Sequence, residues 1–201
     1  MIGFDVLIVN GDFDMETREQ YLIRCAERIN QDVFIPLGKG IPNYRVSVGF
    51  PGGGSARTRI GECWSPKASG DNTVEMFISP KILNDPILML ATLVHEMVHA
   101  IVGTKCGHKG PFRKLAISAG LKGKMTATEA GEKLTSALQV ILSDMGAFPG
   151  AELSLQDRKK QTTRMIKLAC PDCANIARQS RSAFQEYGVI CGQCEVRMES
   201  V

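Results

Sequence analysis

The chain contains only three histidines, and all of them fall between positions 95 and 108. The first two stand in His95-Glu96-Met97-Val98-His99 and the third in Gly107-His108-Lys109-Gly110-Pro111-Phe112. On a helix, residues four apart share a face, so His95 and His99 can reach one metal ion. Glu96 sits on the next face, where it can reach a water on that metal rather than the metal itself. Two helical imidazoles with a neighbouring carboxylate form the zinc-hydrolase pattern. Such a site takes three protein ligands and leaves a fourth position to water. His108 is the expected third ligand, because Gly103 and Gly107 let the chain fold back beyond the helix. The competing readings are a solvent-exposed loop histidine at 108, or a glutamate ligand from further on, Glu129 or Glu132. The spacing does not suit the pattern in which a third histidine follows the second by six residues. Bound zinc lowers the pKa of its water to ~7. Glu96 would take that proton and hand it to the leaving amine, and the metal would stabilise the oxyanion. The reaction class is peptide-bond hydrolysis.

A second set of ligand-type residues closes the chain. Cys170-Pro171-Asp172-Cys173 and Cys191-Gly192-Gln193-Cys194 are two C-x-x-C pairs at the spacing of a structural zinc site. A redox pair is the rival reading. About 40 residues bury too little surface to fold unaided, so a metal staple is expected here. The sequence therefore predicts two Zn²⁺ ions, one catalytic on His95, His99 and His108, and one structural on Cys170, Cys173, Cys191 and Cys194. The seven cysteines are an odd number, which fits metal binding in a reducing compartment better than a disulfide framework. Cys25 and Cys63 have no partner at metal spacing and read as small core residues.

The elements that must hold these residues can be traced outward from them. Asn84-Asp85-Pro86 opens a helix, with Asp85 as cap and Pro86 in the first position, and Gly103 stops it after Val102. Seventeen residues rise about 25 Å. Apolar residues surround this helix almost completely, so it belongs in the middle of a domain, with His95, Glu96 and His99 as exceptions that a metal explains. Upstream, Asp14 is a candidate cap for a helix over about 15–30 with Leu22, Cys25, Ala26 and Ile29 on one face. Strands are expected over Tyr44–Phe50, Arg57–Trp64 and Thr73–Ser79, joined by a turn at Pro51–Ser55 and a polar loop at Ser65–Asn72. That turn lacks the Gly-Lys-Ser/Thr and helix of a phosphate loop. Val6–Val9 reads as a short strand or an arm. Downstream, Pro111 opens a helix with Phe112, Leu115, Ala116 and Ala119 buried. Thr126 and Glu129 have capping-box spacing for a helix over about 127–145, with Leu134, Ala137, Leu138, Ile141 and Leu142 as its stripe. Around the cysteines, strands are expected at Met165–Ala169, Tyr187–Ile190 and Val196–Met198. The strand at 73–79 is a candidate to pair with an extended substrate peptide.

Hydrophobic residues make up 44% of the 201, enough for a sizeable core, and no apolar run approaches the ~20 residues of a membrane span. The N-terminus lacks the features of a secretory signal. A cytoplasmic protein is expected, or a nuclear one in a eukaryote, with no membrane partner. The net charge is only +3, but it is unevenly spread. Between Met97 and Thr128 stand Lys105, Lys109, Arg113, Lys114, Lys122 and Lys124 with no acidic residue, and Arg158, Lys159, Lys160, Arg164 and Lys167 lead into the cysteine region. Basic surface beside both sites suggests a polyanion, most simply single- or double-stranded DNA. An ordinary solvated face is the bland alternative.

The His95–His99 motif, Gly107-His108 with its following Gly-Pro-Phe, and the paired C-x-x-C knuckles together resemble the SprT-like zinc metalloproteases, over about residues 15–200. The resemblance implies an α+β, minimal zincin fold: a small antiparallel or mixed sheet packed on the metal-binding helix and further helices, with a C-terminal four-cysteine zinc ribbon. It implies three histidine ligands, His95, His99 and His108, with Glu96 as catalytic acid/base, and proteolysis of proteins crosslinked to DNA. The expected domains are a protease domain over 1–150, a basic linker over 151–164 and the ribbon over 165–201. Two other functions are open to this sequence. One is a zinc peptidase with no nucleic-acid role. The other is a non-enzymatic, two-zinc DNA-binding regulator, against which Glu96 argues, since a purely structural site needs no carboxylate beside an open metal position.

Overall fold

The computed structural model describes residues 16–52, 58–154 and 165–201. Val6–Val9, Asp14, Arg57, part of the expected turn at 51–55, and Arg158, Lys159, Lys160 and Arg164 lie outside the described residues. The chain divides into two compact units, Met1–Ser154 and Leu155–Val201.

In the first unit, helix α1 (Arg18–Ile29) buries Tyr21, Leu22, Cys25, Ala26 and Ile29. Its N-terminus carries a full capping box. The Gln20 N–H donates to Thr17 Oγ1 at 3.1 Å, and the Thr17 N–H donates to Gln20 Oε1 at 2.7 Å. Three short strands follow: β1 (Tyr44–Val48), β2 (Gly61–Trp64) and β3 (Val74–Ile78). They form a mixed sheet in the order β1-β3-β2, with β1 parallel and β2 antiparallel to β3. β3 alternates cleanly, with Val74, Met76 and Ile78 in the core.

Helix α2 (Pro86–Val102) runs through the centre of this unit. Asp85 caps it, accepting from the Leu88 N–H at 3.0 Å, and Gly103 ends it at φ 83°. Met89, Leu90, Leu93, Val94, Met97 and Val98 are fully buried. The helix packs on β2 and β3 and on the helices to either side. At about 25 cal/mol per Å² of apolar surface, burial rather than propensity holds such a helix in place. Helix α3 (Pro111–Ser118) buries Phe112, Leu115 and Ala116, as its stripe predicts.

The expected capping box at Thr126 and Glu129 does not form. Residues 121–130 instead make an antiparallel hairpin, β4 (Leu121–Lys124) and β5 (Ala127–Ala130), and helix α4 (Glu132–Met145) starts after it with Gly131 as a cap that has no side-chain bond. Two glycines decide this. Gly120 adopts φ +89°, and a Cβ there would lie 2.9 Å from Leu134 Cβ. The Gly131 N–H donates to Gly120 O at 2.8 Å, closing the hairpin base against the start of α4. The apolar stripe itself holds, with Leu134, Leu138 and Ile141 buried.

The second unit is built on β6 (Met165–Ala169), which pairs antiparallel with β7 (Ile176–Ser180) on one side and with β8 (Glu199–Ser200) on the other. The first expected strand is therefore present. The second, expected at Tyr187–Ile190, is reduced to a bridge at Ile190, and helix α5 (Arg181–Tyr187), capped by Ser180, which accepts from the Ala183 N–H at 3.3 Å, ends where it was to begin. Only an Ile190–Arg197 bridge and bonds from Met198 N to Val189 O and from Cys191 N to Val196 O remain of the last two expected strands. Buried in this unit are Leu168, Cys170, Cys191 and Met198, with Phe184 and Val196 packed against them. Among the described residues no helix is long and apolar enough to cross a membrane.

Candidate metal centres

α2 presents His95 and His99 one turn apart, and the loop after Gly103 returns His108 to them. His95 Nε2 lies 3.1 Å and His99 Nε2 3.2 Å from His108 Nε2. Phe112, fully buried on α3, forms the floor, with its ring centroid 4.3 to 4.9 Å from those of all three histidines. The His95 Nδ1 lies 2.8 Å from Thr128 Oγ1 on β5. A proton on Nδ1 donating to that hydroxyl leaves the Nε2 lone pair turned to the centre. Burial, together with the neighbouring imidazoles, pushes the metal-free pKa of His95 down to about 3 and that of His99 to about 4, and burial lowers that of His108. All three rings are thus held in the neutral, ligating form. Three converging acceptor nitrogens cannot satisfy one another. A tetrahedral zinc with Zn–N near 2.0 Å would separate its ligand nitrogens by about 3.3 Å, close to the observed spacing. The residues fit a metal ion of this type, and the three histidines form one of two groups among the described residues that can hold one.

Glu96 lines the same cleft as the three histidines and lies beneath β2. It is 5% exposed, and burial, reinforced by Glu62 and opposed by Arg59, pushes its carboxyl up to about 8 in the metal-free chain. β2 runs so close above it that only glycine fits at 61. A Cβ there would sit 2.6 Å from Thr92 Cγ2 and would collide with the Glu96 carboxylate. The cleft above the histidines has a volume of about 420 Å³, with residues 58–63 along one wall and Thr104, Gly107 and residues 126–128 along the other.

This placement corrects several expectations. The competing ligands Glu129 and Glu132 are exposed and outside the histidine group, because alternation along β5 turns Thr128 inward and Glu129 outward. The strand at 73–79 cannot receive a peptide, since β3 is the central strand with both edges paired. Among the described residues the sheet edge beside the cleft is that of β2, which has β3 on one side only. Cys25 is a core residue as expected, but Cys63 is half-buried and lines the cleft. Sequence reasoning missed Thr128, Gly61 and the floor role of Phe112. The first two answer to no local motif, and Phe112 read only as part of a stripe.

In the second unit the four cysteine sulfurs lie within 4.8 Å of one another, with Cys173 Sγ 3.6 Å from Cys191 Sγ. A tetrahedral Zn–S of 2.3 Å implies about 3.8 Å between sulfurs. The two knuckles are built alike. Ala174 and Glu195, each just after its second cysteine, take φ of 57° and 56°. Their N–H groups donate to Cys170 O at 3.0 Å and Cys191 O at 2.8 Å. Backbone N–H groups of Gln193 and Cys194 pull the Cys191 thiol down, while the neighbouring thiols hold Cys194 up.

The six cations between Met97 and Thr128 are all exposed, and none forms an ion pair among the described residues. Lys105 and Lys109 flank cleft residues, and Lys124 pairs across the hairpin with Ala127, which lines the cleft. Comparison of the chain with protein-family models, with curated proteins and with solved structures yields no match.

Proposed function

We propose that the first unit is a zinc-dependent endopeptidase with a minimal zincin fold, and that it acts on proteins bound or crosslinked to DNA. The second unit is then a zinc ribbon. The observation that carries this reading is the convergence of three neutral imidazoles beside a buried carboxyl, in a cleft bordered by a strand edge that has no partner among the described residues. Zinc on His95, His99 and His108 would supply a Lewis acid and a water of lowered pKa at its open position. Glu96, buried in the same cleft as the three histidines, is placed to accept a proton from that water and deliver it to the departing amine. Thr128 holds the His95 ring in the ligating tautomer. The outer edge of β2 offers main-chain N–H and C=O groups to an extended polypeptide. The cations around the cleft supply the attraction to phosphates that a DNA-bound substrate requires, and the resemblance to SprT-like proteases points the same way.

Purified chain should contain two zinc ions and hydrolyse a protein substrate, and Glu96→Gln should lower the rate by at least about 10²–10⁴ with its fold intact. A rate that rises with added DNA at low salt, and falls back as salt is added, supports a DNA-bound substrate. A rate indifferent to DNA favours a peptidase without a nucleic-acid role. DNA binding without hydrolysis would overturn the enzyme reading in favour of a two-zinc regulator.

A further inference from the structure

The outer face of the first sheet carries a second cavity that the catalytic reading does not use. Alternation along β2 turns Gly61 and Cys63 toward α2, and Glu62 and Trp64 to the opposite face. There Glu62 pairs in register with Phe77, and Trp64 with Glu75. Phe50, just past β1, completes a cavity of about 360 Å³. Trp64 is 46% and Phe50 37% exposed, although both are large and apolar. The lining thus holds three aromatic rings and two carboxylates and, among the described residues, no lysine, arginine or histidine. Arg45 and Arg59 pair with Glu75 and Glu62 without entering the lining, and the Gly52 N–H donates to Glu62 Oε2 at 2.9 Å. The carboxylates are thereby held in place at the cavity wall.

We propose that this cavity receives a lysine or arginine side chain of the polypeptide lying along the edge of β2. The proposal rests on the peptidase reading for the presence of that polypeptide. An extended chain paired with β2 projects alternate side chains to the two faces of the sheet. Those on one face enter the cleft, and those on the other arrive beside Glu62 and Trp64. Glu62 lines both cavities, which places them on either side of the same strand. The chemistry selects the occupant. A basic side chain lays its methylenes on the aromatic rings and brings its charge to ring faces and carboxylates. An acidic side chain would set a third carboxylate beside Glu62 and Glu75, and a purely apolar one would gain nothing from them beyond their existing arginine partners. The pocket would therefore set specificity one residue away from those entering the cleft.

Trp64 is the only tryptophan in the chain, so its emission reports on this pocket directly. The test uses the full-length, zinc-loaded chain carrying Glu96→Gln, titrated with an alternating threonine–lysine hexapeptide and with its norleucine and glutamate counterparts. The expected result is a saturable change in emission, about tenfold tighter for lysine than for norleucine and absent for glutamate. Glu75→Gln and Glu62→Gln should each erode the preference for lysine. Equal affinity for norleucine, or an emission that does not respond to the lysine peptide, overturns the proposal without relying on any substitution in the pocket. Hydrolysis of the lysine peptide by the unsubstituted chain is read separately. A Trp64 response without hydrolysis removes the peptidase and leaves the pocket. Hydrolysis without a Trp64 response removes the pocket and leaves the peptidase.

Discussion

The two candidate metal centres invert each other's relation to the fold. The histidine centre is mounted on a helix that burial already holds. Around His95 and His99 lie Met89, Leu90, Leu93, Val94, Met97 and Val98, all fully buried, and the metal adds chemistry to a scaffold that exists without it. The cysteine centre lies in a unit whose buried apolar set is Leu168, Met198 and two of the cysteines themselves. There the ligands are the core. The histidine group would be carried by its fold, whereas the four-cysteine group would carry its own.

The strongest test of this contrast is to remove a ribbon ligand. Cys170→Ser should unfold the second unit, because zinc binding in such modules is worth about 10–16 kcal/mol of folding free energy. Loss of amide dispersion in NMR would show it, while the emission of Trp64 in the first unit stays that of the native chain. Collapse of both units together would break the contrast.

A smaller effect is expected from pH on the chelated first unit. The folded-state pKa values of His95 and His99 lie near 3 and 4, below the ordinary 6.5, so the unfolded chain binds protons that the folded chain refuses. Their contribution is present above pH 6.5 and is lost as pH falls toward 4. The carboxyl of Glu96 is raised from 4.5 to about 8, so the folded chain favours its protonated form and loses stability as pH rises from 4.5 to 8. The stability of the first unit, from urea denaturation followed by Trp64 emission, should therefore peak near pH 6.5 and fall on both sides, by about 2–3 kcal/mol over two pH units. Glu96→Gln should flatten the alkaline side and steepen the acid side, since its opposing slope spans pH 4.5 to 8.

Thr128→Val removes the acceptor for His95 Nδ1 and should weaken metal binding at the histidine centre about 10–100-fold, leaving the ribbon metal in place. Competition with a chromogenic chelator would resolve the two sites. The smallest expected change is Gly61→Ala. Its methyl would press on Thr92 and Glu96, at a cost of about 1–3 kcal/mol in the stability of the first unit, measured by urea denaturation. A neutral result would mean that β2 can lift away from the carboxylate.

How much of this could be read from sequence depended on the range of the interactions involved. α2 was legible to its ends, because Asp85, Pro86 and Gly103 act on their own neighbours. The ligand sets were legible because the spacing of four on a helix and the two C-x-x-C knuckles are local geometry. The capping-box reading at Thr126 failed because Gly120 and Gly131 meet across ten residues, a contact that no window of local pattern contains. Helix α5 lies between the expected strands at Met165–Ala169 and Tyr187–Ile190 and was not read, although Ser180 caps it locally.

By itself, then, the chain determined its chemistry: three imidazoles, one adjacent carboxylate and four thiols at ligating intervals, each dictated by covalent spacing and helical or knuckle geometry. Tertiary structure alone decided which strand edge has no partner among the described residues, that Thr128 rather than Glu129 faces His95, that Gly61 roofs Glu96, and that Trp64 and Phe77 share a cavity with two carboxylates. Those are relations between segments distant along the chain. They follow from how surfaces pack, which residue order constrains but does not spell out.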